Sequence, residues 1–242
     1  GVNIIASTDR GATYDRDNII VEWSSFLVFD RIRSANAVRA GMRISTSRFI
    51  TVKNSTFANN RKWGFFTDFA DDITFENNTA FGTVEQHGAY FSNSNQRSIA
   101  RNNVIYNNRQ SGVQINADQY FFPPTGWVPE VFGITRGAVI ENNIIYGNGV
   151  GGGAGINLDG VQDTIVRNNL LYANRSGGIT NFQIDGAEGP RGMYIVHNTI
   201  IHDLSPRSAT QFTESTGANY FYNNFVYHPA GIGLELLADV DR

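Results

Sequence analysis

The 242-residue chain has a formal net charge of −3 and a pI near 5.8, which exclude a general electrostatic attraction to nucleic acid or to an anionic membrane. Charged residues are only 17% against 41% hydrophobic, and 25 glycines with many Asn, Ser and Thr carry the remaining polarity, a balance foreign to amphipathic helical proteins. Cysteine is absent, which excludes disulfides, thiolate metal sites and a cysteine nucleophile, and no apolar run reaches membrane-spanning length.

The chain opens in strand-like sequence at residues 2–6 and closes just after another strand at 233–237. Both ends read as cut from a longer protein or processed, with further coils or domains expected beyond them. Between them one phrase recurs: KNSTF, NNTAF, NNVIY, NNIIY, NNLLY, HNTII, NNFVY. Its asparagines are Asn54, Asn78, Asn103, Asn143, Asn169, Asn198 and Asn224, spaced by 24, 25, 40, 26, 29 and 26 residues. Such a period marks a solenoid, whose units bury their apolar faces only by stacking on one another. Short alternating segments fill each period: 63–68, 70–77, 88–92, 98–102, 111–118, 154–160, 162–168 and 177–182. They are rich in Thr, Val, Ile, Phe and Tyr and read as half-buried strands. Successive repeats run the same way, so the strands pair in parallel. The prediction is an all-β, right-handed parallel β-helix of about 24–26 residues per coil, a single domain over 1–242. An internal ladder of stacked asparagine amides holds its register.

The interval from Asn103 to Asn143 is about 15 residues too long, which places an insertion near 119–137. Insertions in repeat proteins leave from one face and often line its binding surface. Tyr120, Phe121, Phe122 and Trp127 in it either pack on the side of the helix or wall a sugar site. The glycines of 147–155 read as a turn, since no helix follows to make a phosphate site.

Aligning Gly41, Gly64, Gly88, Gly112, Gly155 and Gly178 stacks the strands that follow them. Residues one and three positions on are mainly apolar and are assigned to the core. Residues two and four on face outward. The outward set includes Arg43, Phe66, Tyr90, Gln114 and Asn157 in one column, and Asp68, Asn116 and Asp159 in the other. It contains neither Lys nor Glu. Amides, carboxylates and aromatics in rows suit sugar hydroxyls and ring faces; the plainer alternative is another row of hydrogen bonds between coils. His87 precedes Gly88 and meets Tyr90 only if the chain bends at Gly88. His197, His202 and His228 read as structural or solvent-facing. Asp71, Asp72 and Asp163 read first as turn residues. A calcium ion is the one cofactor raised, with Asp68, Asp71 and Asp72 as a partial ligand set.

The phrases WGFFTDFADDITFENN, EQHGAYFSNS, SGVQINAD and AGINLDGVQDTIVRNNLLY, spread over about residues 35 to 190, resemble the right-handed parallel β-helix repeat proteins of the pectate-lyase-like superfamily, bacterial secreted type. The resemblance implies a secreted or cell-surface location and a polysaccharide partner. That superfamily includes polysaccharide lyases, uronate epimerases, polygalacturonase-like hydrolases and phage tailspikes. The Asp clusters and basic residue of a calcium-dependent pectate lyase have no clear counterpart here.

Three readings follow. A lyase or epimerase on a uronate polymer takes His87 as base, Tyr90 as acid, Arg43 or calcium on the carboxylate, and Gln114, Asn116 and Asn157 as hydrogen-bonding groups. Phe66 and Trp127 supply apolar faces for the sugar. A hydrolase takes Asp118 with Asp159 as its carboxylate pair. A non-catalytic glycan-binding or tail-fibre module uses the same face without chemistry.

Overall fold

The computed structural model describes residues 2–5 and 17–237. The sequence ends read as cut, Gly1 and 238–242, lie outside the described residues, as does Ala6 of the first expected strand. Within the described residues no helix occurs, and the chain winds as a parallel β-helix. Each coil but the last described one gives one short strand to each of three sheets. The first has nine strands, from Val2–Ile5 through Val104–Tyr106 to Phe225–Tyr227. The second, also of nine, runs from Ile20–Glu22 to Leu234–Leu237, and the third, of eight, from Ser25–Asp30 to Tyr220–Tyr222.

The glycine alignment holds. Met42 pairs with Phe65, Phe65 with Ala89, Ala89 with Val113, Val113 with Ile156 and Ile156 with Ile179. All six of these side chains are fully buried, and Ile44, Phe91, Ile115 and Leu158 join them from two positions on. The core is a column of such pairs, each removed from water only because a coil lies above and below. The glycines are required by the corner. A Cβ on Gly64 would stand 2.5 Å from the Gly88 carbonyl oxygen, and one on Gly88 2.6 Å from Asn108 Nδ2.

The asparagine ladder is built as expected from Asn78 to Asn224. The Oδ1 of each member accepts the backbone N–H of the preceding one: Asn103 for Asn78, then Asn143, Asn169, Asn198 and Asn224, all at 2.9–3.0 Å. From Asn103 onward each Nδ2 also donates to the next Oδ1. Asn54 is not a rung. Its coil contributes Ser55, whose N–H donates to Asn78 Oδ1 at 2.8 Å, whereas Asn54 reaches out to Asp30. Asn54 instead matches Asn77, Asn102, Asn142 and Asn168, all left-handed at φ 52° to 57°. The Asn-Asn doublets thus hold two occupations: the first turns the corner, which Asn tolerates in this conformation, and the second is the rung.

A second ladder stands one corner on. Asn108 N–H donates to Asn148 Oδ1 and Asn148 N–H to Asn174 Oδ1, at 3.0 and 3.1 Å. Outside the first sheet, Phe81, Tyr106, Tyr146 and Tyr172 stack face to face, with ring centres 4.8–4.9 Å apart and planes within 6°.

Candidate functional site

The outward face of the second sheet carries a cleft of about 410 Å³ over its N-terminal coils, lined by Arg39, Arg43, Trp63, Phe66, Asp68, Tyr90, Ser92, Asn93, Asp118 and Phe121. Five of these residues, Arg43, Phe66, Asp68, Tyr90 and Asp118, belong to the site read from the sequence. Trp63 and Arg39 do not. Trp63 precedes Gly64 as His87 precedes Gly88, and the corner at each glycine folds the preceding side chain onto the outer face. Trp63 therefore stacks on Phe66 at 4.2 Å, and His87 meets Tyr90 edge-on at 5.0 Å. Phe66 and Tyr90 are 5.4 Å apart, which completes an aromatic row. Arg39 lies over the Trp63 ring at 5.4 Å, a cation–π contact. Arg43 is held between Asp17, at 3.2 Å, and Glu22, at 2.6 Å.

Asp68 is buried, bonded to Ser45, and its Oδ1 makes no hydrogen bond. Burial raises its pKa above the ordinary carboxylate value, against the lowering pull of Ser45, Arg43 and Arg39. Burial likewise raises the Tyr90 phenol, whose oxygen accepts from Asn116 Nδ2 at 3.4 Å. His87 behaves differently. Its Nδ1 accepts the Ser111 N–H at 3.1 Å, so the proton of the neutral ring sits on Nε2 and its one lone pair is taken. Burial pushes its pKa down to about 3.

The remaining outward residues are bonded among themselves. Gln114 Oε1 accepts from Ser111 Oγ and from Asn157 Nδ2, and Thr180 Oγ1 donates to Asn157 Oδ1. Asn116 Nδ2 also donates to Asp185 at 3.0 Å. Asp159 accepts the backbone N–H groups of Ile184, Asp185 and Gly186 at 2.8–3.2 Å. It thereby clamps a turn that folds back over Asn116 and splits the face in two. Beyond the turn lies a second cleft of about 610 Å³, lined by Asn157, Thr180, Phe182, Arg207, Gln211 and Glu214 among others.

The insertion leaves the coil after Ala117 and rejoins it at the short strand Thr135–Arg136. Asp118 caps its start by accepting the N–H groups of Tyr120 and Phe121. Phe121 stacks on Phe69 and walls the first cleft. Trp127 points elsewhere: it lies under Arg48 at 4.5 Å and against Trp23 at 5.9 Å, and Glu130 binds Arg97 at 2.6 Å. The two alternatives for the insertion are therefore divided between its residues, Phe121 at the cleft and Trp127 as an anchor on the side of the helix.

The three aspartates raised as calcium ligands diverge. Asp71 accepts from Gln96 N–H and Arg48, Asp72 pairs with Arg97, and only Asp68 faces the cleft. Among the described residues no group of three or more His, Cys, Asp or Glu is placed to hold a metal. Among the described residues no helix is long and apolar enough to cross a membrane.

A family model described as a right-handed β-helix region matches residues 3–121. No curated protein matches the sequence significantly. The fold is similar to that of the Streptococcus pneumoniae surface protein and adhesin PfbA, with 14% identity, a TM-score of 0.68, and cover of 93% of this chain and 64% of that one. It is also similar to the A-module of the Azotobacter vinelandii mannuronan C-5 epimerase AlgE4, with 16% identity, a TM-score of 0.53, and cover of 90% and 65%. The periplasmic alginate epimerase AlgG gives 17% identity, a TM-score of 0.52, and cover of 89% and 51%. The chain thus spans about half to two thirds of the length of these structures.

Proposed function

We propose that this chain, a right-handed parallel β-helix repeat protein of the pectate-lyase-like fold, acts outside the cytoplasm on a uronate-containing polysaccharide, as a lyase or epimerase. The observation that carries the reading is the row Trp63–Phe66–Tyr90 beside Arg39, Arg43 and Asp68 in one cleft. Aromatic faces take the sugar ring and the guanidinium groups take its carboxylate. The names of two similar structures, an alginate and a mannuronan epimerase, agree with that substrate class.

The chemistry begins with removal of the proton next to the carboxylate. Asp68 is the base in this proposal, because burial raises its basicity and His87 has its lone pair on Ser111 N–H. The electron pair left on carbon is delocalised into the carboxylate, which Arg43 and Arg39 stabilise. Tyr90 keeps its phenol proton through burial and is the acid. Protonation of the departing glycosidic oxygen, as the carbon–oxygen bond breaks, gives an unsaturated uronate and a new reducing end. Return of a proton to the opposite face of the same carbon gives the epimer. Pectate and alginate, each with and without calcium, separate these outcomes: a lyase raises the absorbance of unsaturated uronate, and an epimerase changes the uronate ratio by NMR. Neither signal on any polymer overturns the reading.

A non-catalytic glycan-binding role is the second reading. It is favoured by the hydrogen bonds that already occupy Gln114, Asn157 and Asp159. Glycan affinity that survives Asp68→Asn and Tyr90→Phe, with no product formed, selects it.

A further inference from the structure

The second corner changes character in the last coils. Its asparagine ladder ends at Asn174, and two imidazoles follow. His202 comes directly after the strand Thr199–Ile201 and His228 after Phe225–Tyr227. Ile201 pairs with Tyr227, so the histidines are neighbours on adjacent coils. Their ring centres are 4.9 Å apart with planes at 82°. His202 is 1% exposed, whereas His228 is half-buried and reachable from solvent.

The ring nitrogens are paired off in a particular way. His228 Nε2 lies 2.8 Å from the carbonyl oxygen of Arg207. A carbonyl only accepts, so Nε2 carries the proton and Nδ1 a lone pair. That Nδ1 is buried and has no hydrogen-bond partner. His202 faces the backbone carbonyls of Ser176 and Arg207, and its Nε2 is buried and without a partner too.

An imidazole with one ring nitrogen on a backbone carbonyl and the other bare, beside a second buried imidazole with a bare nitrogen, has the surroundings of metal-binding histidines. The spacing agrees. With zinc–nitrogen bonds of about 2.0–2.1 Å, ring centres stand roughly 3.2 Å from the ion and, at a tetrahedral angle, about 5 Å from each other. We propose that His202 and His228 bind one divalent transition-metal ion of the kind that prefers imidazole, Zn2+ or Cu2+, between the last two coils. No third His, Cys, Asp or Glu completes a cluster among the described residues, so water fills the remaining positions. Ca2+, which takes oxygen ligands, does not fit two nitrogens. Arg207 gives its carbonyl to His228 and lines the wider cleft, so the ion would fasten the loop at that cleft.

Calorimetric titration and thermal melts of the chelator-treated chain with ZnSO4 test this. One equivalent is expected to bind and to raise the melting temperature, while CaCl2 does neither. His228→Gln, at the half-exposed position, is expected to weaken Zn2+ binding at least tenfold and to abolish the shift. His197→Gln, at a histidine outside the pair, leaves both unchanged. Absence of Zn2+ binding in the wild type overturns the proposal, and so does binding of equal affinity in His228→Gln. His202→Gln repeats the test from the buried side, and if it fails to fold, His228→Gln alone decides.

Discussion

Asp68 and Tyr90 reach their proposed roles through the same cause, burial on the outer face of a strand. Removing the base without removing the aromatic row separates chemistry from binding. Asp68→Asn is expected to lower kcat by about 10²–10⁴-fold with little change in KM, as measured by product formation on the polymer that gives signal. Wild-type turnover in this variant removes Asp68 from the reaction. Trp63→Ala is expected to act on affinity instead, by about tenfold, read as a rise in KM or in the Kd for an oligosaccharide. His87 has a stability signature of its own. In the fold it stays neutral down to about pH 3, whereas the unfolded chain protonates it near its ordinary value of 6.5. Between these values the unfolded state holds the extra proton. The stability His87 contributes is complete above pH 6.5 and is lost as the pH falls through that window, at about 1.4 kcal/mol per pH unit. Denaturant unfolding of His87→Gln across that range is expected to show a slope flatter by that amount. Asp68, Asp71 and Asp159, whose values are raised by burial, act in the opposite sense: their ionisation costs stability at neutral pH, and the cost is relieved as pH falls. Both outward columns were legible in the sequence, because parallel register repeats a residue's orientation from coil to coil. Trp63 and Arg39 were not. Strand alternation carried past the glycine assigns Trp63 to the other face, and only the corner reverses it.

At the scale of single elements, ladder and insertion differ in how they fail. Asn169→Ala removes the acceptor of both Asn143 N–H and Asn143 Nδ2, and the donor to the Ile140 carbonyl. Buried groups left unpaired cost about 1–3 kcal/mol each. A comparable loss of unfolding free energy, with activity retained in the folded fraction, is expected from denaturant titration. Shortening the insertion between Tyr120 and Phe132 leaves the coils intact and removes one wall of the cleft. The expected result is a modestly lowered melting temperature with weakened oligosaccharide binding, since Phe121, Trp127 and Glu130 leave Phe69, Arg48, Trp23 and Arg97 but no core pair is touched. The period showed where the insertion lies, because 40 residues stand where about 25 belong. Its docking was not readable: the partners Arg48, Trp23 and Arg97 lie on earlier coils, brought alongside by winding. The partners of Asp159, which the sequence places in an outward column as a sugar-binding or hydrolase carboxylate, were not readable for a similar reason. The turn it clamps, at residues 184–186, comes from the following coil and carries no repeated phrase. Asn54 was mistaken for a rung because an Asn-Ser pair offers one asparagine where the other coils offer two.

For the whole molecule, stability is a sum over neighbouring coils rather than the property of one compact core. The middle coils are covered on both sides, and Ile105, Ile145 and Leu171 are buried. In the last described coil, Phe225 and Leu236 are 61% and 69% exposed. Native-state hydrogen exchange should therefore be fastest at Phe225–Tyr227 and Leu234–Leu237 and slowest around Ile105 and Ile145. Uniform protection along the axis would contradict additive stacking. The ring column from Phe81 to Tyr172 makes the same property visible to light. Three tyrosines held in parallel at 4.8–4.9 Å couple their electronic transitions only while their coils are in register. The chain carries an optical gauge of its own winding, one that needs no added dye. Its near-ultraviolet circular dichroism should fade when Tyr106, Tyr146 and Tyr172 come apart, even if the coils at either end still hold.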